Sequence, residues 1–124
     1  MKPDRLLLLT PLREALERIG RKAEPLLADP SLLDHEDGQD RLDVICMQFL
    51  TAGEALKRLE KLEAGLLAAN FPEIDWKGAM GFRDVIAHQY FDLDTEQVLL
   101  ICQDALPGLL SAIRTFELEA QNQT

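Results

Sequence analysis

Apolar residues recur at alternating intervals of three and four along most of this chain. Leu9, Leu12, Leu16, Ile19, Ala23 and Leu26 form one series, and Leu42, Ile45, Phe49, Ala52, Leu56 and Leu59 a second. Val98, Ile101, Cys102, Ala105, Leu109, Ile113 and Phe116 carry another. At about 100° of rotation per residue, such spacing puts each series on one face of an α-helix. A face of that kind is stable only when buried against other helices. Strand signals are missing: there is no period-two alternation, no hairpin dipeptide and little β-branched sequence. The expected fold is therefore all-α, a four- to five-helix up-down bundle. The length of 124 residues suits one domain, residues 1–124, and 47% hydrophobic residues can fill its core.

Punctuation sets the expected boundaries. The first helix covers about 4–28; Thr10 and Pro11 offer an alternative start as N-cap and first helical residue, with residues 4–9 a separate turn. Pro25 weakens its end. The stretch ADPSLLDHEDGQD reads as a solvated loop or short turn. The second helix runs from about 40 to 66, with Glu54 and Arg58 a favourable pair one turn apart on its polar side. Pro72 breaks the chain again, and Asp75 can cap a third helix over about 76–90. Gly78 and Gly81 each cost that helix about 1 kcal/mol relative to Ala, which suggests close packing against another helix or against a partner chain. Asp94 with Gln97 is a capping-box variant that starts a fourth helix, kinked at Pro107. The tail from about 118 to 124 is expected to fray.

Charge narrows the function. The formal net charge is −9, so long-range attraction to nucleic acid is excluded, and any RNA contact must come from a few placed Arg or Lys side chains. No DNA partner is expected. Cys46 and Cys102 sit within apolar series and read as reduced core residues of a cytoplasmic protein. The run RLLLLT is too short for a membrane span. His35 and His88 are the only histidines, and neither HExxH nor CxxC occurs, so no metal site and no cofactor is implied.

One knot of polar residues stands out on the third helix: Arg83, Asp84, His88 and Tyr90. Asp84 and His88 are four apart and share a face, where a carboxylate can orient an imidazole. Arg83 is five residues from His88, about 140° around the helix, within bending reach of one cleft. Tyr90 is seven after Arg83 and shares its face. An imidazole can take a proton from a ribose 2′-hydroxyl or give one to a leaving oxygen. A guanidinium offers a planar fork to phosphate oxygens as charge builds on them. Together they suit metal-independent RNA cleavage. One His serves poorly as both base and acid, and a twofold dimer would supply the second. On spacing alone, however, Arg, Asp and His on a helix are more often a solvated face or a structural ion pair.

Family resemblance changes that balance. Arg83-Asp84-Val85-Ile86-Ala87-His88-Gln89-Tyr90 resembles the R-polar-x(3)-H-x-Y signature of the HepT-like toxins, a branch of the HEPN superfamily. GEALKRL at 53–59, FPEIDW at 71–76, YFDLD at 90–94 and ALPGLLSAI at 105–113 resemble other parts of that family in the same order. Asp84 stands where the family often has Asn, and Phe82 where Met is common. The resemblance implies a homodimeric, metal-independent ribonuclease toxin of a toxin–antitoxin pair. It implies Arg83 on the scissile phosphate, His88 as general acid and base, Asp84 as the polar residue that orients His88, and Tyr90 as acceptor of AMP. The partner implied is a nucleotidyltransferase antitoxin of the MNT type. Two other readings stand beside it. One is a nucleotide-binding or regulatory partner of a nucleotidyltransferase that cuts nothing; the other is a bundle whose Asp84–His88 pair is only structural.

Overall fold

The three apolar series require long helical faces, and the chain forms them. A computed structural model describes residues 3–122. Six α-helices follow in order: α1 (Pro3–Ala28), α2 (Glu36–Leu62), α3 (Leu66–Asn70), α4 (Trp76–Gln89), α5 (Thr95–Asp104) and α6 (Leu106–Asn122). Single 3-10 turns at Pro30–Asp34 and Tyr90–Asp92 precede α2 and α5. No strand occurs among the described residues. The all-α bundle is as expected. The count reaches six because the fourth helix divides at Ala105, bending by 48°, and because α3 adds one short turn. Pro107 accounts for the division, since it has no N–H to give to the preceding turn.

All members of the first two series are buried and belong to one contiguous core. Helix α1 packs on α2, α5 and α6, and α2 also carries α4 on its other flank. The phenol of Tyr90 meets Asp43 while Asp84 meets Lys57, so α4 runs antiparallel to α2. Phe49 and Phe82 meet edge to face across this seam, 5.0 Å between centroids. Trp76 is buried, and its indole N–H donates to the Phe71 carbonyl at 3.0 Å. Cys46 and Cys102 are free thiols in the core, and burial pushes them up to about 11 and about 12 respectively.

Several boundaries differ from expectation, each for a local reason. Helix α1 is continuous through Pro11, so residues 4–9 are not a separate turn. Leu9 and Leu12 are fully buried on either side of the proline, and their packing holds the helix across one missing hydrogen bond. Thr10 is no cap: its hydroxyl donates to the buried Glu117 at 2.7 Å. Helix α2 starts at Glu36, four residues before the expected position, and ends at Leu62. The tail does not fray as far as it is described, because Glu117 and Ala120 are buried and α6 continues to Asn122. Positions 123 and 124 lie outside the described residues.

The caps were legible. The Asp75 carboxylate accepts from the Gly78 N–H at 2.9 Å, and that of Asp94 from the Gln97 N–H at 3.3 Å. Within the chain, the glycines of α4 are not points of contact with another helix. A side chain at 78 would strike the Asp75 cap, and one at 81 would meet nothing within 4 Å. No single helix among the described residues is long and apolar enough to cross a membrane.

Candidate functional site

The close approach that glycine permits lies on α2. A β-carbon at Gly53 would sit 2.3 Å from the β-carbon of Arg83. Only a residue without a side chain lets α4 settle there. Gly53→Ala is expected to cost about 1–3 kcal/mol by overpacking the seam, read as a lower midpoint in urea unfolding with an unchanged m-value.

Arg83 therefore leaves α4 over bare α2 backbone, and its side chain is 32% exposed. Its Nη2 lies 3.5 Å from the Glu54 carboxylate, and its Nη1 3.2 Å from Asp84. Nε is buried without a hydrogen-bond partner. The carboxylate of Asp84 makes its shortest contact with Lys57, 2.6 Å from Nζ. The Lys57 ammonium, then Arg83, holds that carboxyl below its usual range. Its ionic contribution is present above the unfolded carboxyl value and fades as pH falls through the lowered folded one.

His88 stands in the last turn of α4, exposed, with no hydrogen bond or ion pair among the described residues. The expected Asp84–His88 contact is not formed, because Asp84 turns to the cations of Lys57 and Arg83. An unpartnered imidazole on the surface is free to meet a ligand. Arg83 and Tyr90 do share the face turned toward α2, as their seven-residue separation implies.

Tyr90 follows at the start of the 3-10 turn, 46% exposed. Its hydroxyl donates to Asp43 of α2 at 2.5 Å. This hydrogen bond, with some desolvation, pushes the phenol up to about 12. The raised value means the tie is fully present below the ordinary phenol value and is lost as pH rises through about 12. Tyr90 is the only tyrosine in the chain, so its phenolate absorbance reports it alone. Asp43→Asn is expected to bring the titration midpoint down toward the ordinary value of about 10; an unmoved midpoint would show that Asp43 does not hold the phenol. Beside it Phe91 is 99% exposed, edge-on to Tyr90 at 6.2 Å.

A cavity of about 410 Å³ lies between α2, the start of α4 and the α5–α6 junction, walled by Phe49, Leu56, Phe82 and Leu109. Arg83, Asp84, His88 and Tyr90 do not line it. The polar cluster instead occupies an open surface along the α2–α4 seam.

Sequence reasoning missed three participants. Asp43 carried no signal, since its only distinction is to lie opposite Tyr90 on another helix. Glu54 and Lys57 carried a weak one: with Gly53 they fall at intervals of one and four, on the helix flank that α4 covers. Glu54 does approach Arg58, but at 3.9 Å, and it also serves Arg83. His35 flanks the start of α2 and is exposed. No three His, Cys, Asp or Glu residues among those described converge as a metal site would require.

Comparison with known proteins gives one family match. The family model described as HepT-like, ribonuclease HepT-like, matches residues 12–116. No solved structure matches the chain.

Proposed function

This chain belongs to the HepT-like ribonuclease family, and from that membership we propose that it is the toxin of a toxin–antitoxin pair, an endoribonuclease that needs no metal. Two copies would meet with their α4 helices facing one cleft. Arg83 presents its fork to the scissile phosphate and stabilises charge on the non-bridging oxygens. His88 of one copy takes the proton of the ribose 2′-hydroxyl as that oxygen attacks phosphorus. The 5′-oxygen leaves and receives a proton from the imidazolium of the second copy, and the phosphate is left as a cyclic diester. The single observation that carries this reading is the exposed, unpartnered imidazole of His88 on the same helix as a partly exposed Arg83.

Silencing is proposed to act at Tyr90. A nucleotidyltransferase antitoxin of the MNT type would transfer AMP from ATP to the phenol oxygen, releasing pyrophosphate. The bulky anion on the half-exposed ring would crowd the cleft and repel RNA without refolding the bundle.

The test is direct. Purified protein incubated with RNA in EDTA is expected to cut it, and expression is expected to arrest growth; intact RNA and unhindered growth would remove the ribonuclease reading. Co-expression with a nucleotidyltransferase of the MNT type is expected to add the mass of AMP, and Tyr90→Phe to abolish that gain. A second reading, a nucleotide-binding or regulatory partner of such an enzyme, is favoured by the net charge of −9 and by the two carboxylates already beside Arg83. Cleavage by the isolated protein separates the two.

A further inference from the structure

Arg13 and Arg83 are held in different ways. Arg13 is locked: its Nε is 2.6 Å from Glu117 and its Nη1 2.8 Å from Glu17. Both contacts are short, and they fix the guanidinium at two of its nitrogens. Arg83 is held loosely. Its carboxylate contacts are 3.5 Å and 3.2 Å, and its Nε is buried without a partner. The Asp84 oxygen that accepts from Arg83 is shared, and its shorter contact is with Lys57 at 2.6 Å.

Every part of this arrangement except Asp84 comes from one turn of α2. Gly53 supplies a bare floor on which the first carbons of Arg83 rest. Glu54 lies beside one terminal nitrogen of the fork. Lys57, one turn on, occupies Asp84. We propose that Gly53, Glu54 and Lys57 form a seat for Arg83, in which Glu54 steers the guanidinium and Lys57 keeps Asp84 from neutralising it, so that the fork stays aimed and exchangeable for a phosphate. Glu54 and Lys57 are thus positioning residues that act through Arg83. This rests on the ribonuclease reading above, and it gives the segment GEALK a physical task.

The two residues predict different kinetic signatures. Removing Lys57 frees Asp84 to close on Arg83, so phosphate must displace a tight ion pair before binding. Lys57→Met is expected to raise KM for RNA about tenfold, with kcat within about twofold, because binding is lost and not chemistry. Adding Asp84→Asn to Lys57→Met is expected to restore KM. Glu119→Gln, an equal change of charge on the exposed end of α6, is expected not to. Losing Glu54 leaves the fork free to wander, and misplacement lowers kcat: Glu54→Gln is expected to cost about tenfold in kcat with little change in KM. In an Arg83→Lys background the same change is expected to cost nothing further, since the group being steered is gone.

A second measurement does not need activity. Nitrogen-15 relaxation of arginine side chains, with the Arg83 signal identified by its loss in Arg83→Lys, is expected to show a restricted Nε–H in the native chain and a mobile one in Glu54→Gln. An Arg83 signal equally restricted in both overturns the seat, as does an unchanged KM in Lys57→Met, rescue by Glu119→Gln, or additive losses in the Arg83→Lys background. If the native protein cuts no RNA while Glu54→Gln still frees the side chain, the seat stands as a structural device and the ribonuclease reading is what fails.

Discussion

Replacing His88 by alanine is expected to lower the rate of RNA cleavage by about 10²–10⁴-fold, the range of a lost general acid–base group, while leaving thermal stability almost untouched. The separation follows from the site. The imidazole is exposed and makes no hydrogen bond or ion pair with any described residue, so the folded state loses nothing of consequence with it. Exposed substitutions of this kind fall within about 0.5 kcal/mol. Arg83→Ala is expected to lose activity to a similar extent by removing the charge that meets the phosphate. It also strips the fork from between Glu54 and Asp84, so a modest fall in melting temperature should accompany it. Cleavage rates and melting curves on the same preparations check both. Undiminished cleavage by His88→Ala would mean that the imidazole performs no chemistry here.

The largest effect on stability is expected at the opposite side of the bundle, where α1 meets α6. Glu117 is 6% exposed and accepts from Arg13 and from the Thr10 hydroxyl. Arg114 and Arg13 both reach Glu17, and the Arg114 hydrogen bond is the larger of the causes that hold the Glu17 carboxyl below its usual range. Arg13→Met would leave the Glu117 carboxylate buried with Thr10 as its one remaining donor among the described residues. Uncompensated buried charges of this kind cost about 3–5 kcal/mol. Arg13 is itself partly exposed, so the low end applies: about 3 kcal/mol, or a fall of roughly 10 °C in melting temperature for a domain of this size. Adding Glu117→Leu should recover most of the loss, because an apolar side chain of similar volume needs no partner. If the double variant is no more stable than Arg13→Met, the cost lies in lost packing of the arginine stem and not in the stranded charge.

The three apolar series fixed the helical class, the buried faces and the antiparallel bundle, because a three-four repeat has only one face to hide and short connections leave few ways to hide it. Asp75 and Asp94 marked helix starts for an equally local reason, each carboxylate accepting from an N–H three residues on. Pro11 misled as a start because its penalty is local and the packing that outweighs it, through Leu9 and Leu12, is not. Arg83, His88 and Tyr90 were visible as one motif, since their spacing is a property of one helix.

What each of those side chains touches was decided elsewhere. Asp84 sits one turn from His88, which made that pair the natural guess, yet two cations on its other side attract it more strongly. Tyr90 found Asp43 across 47 residues of chain, and Arg83 found Gly53 and Glu54 across about 30, separations at which no periodicity can speak. The sequence by itself determined the helices, their buried stripes and the identity of the polar cluster, because these depend on interactions within a few residues. Only the tertiary structure decided the partners of that cluster, because charge and hydrogen-bond complementarity act through space once α4 lies against α2.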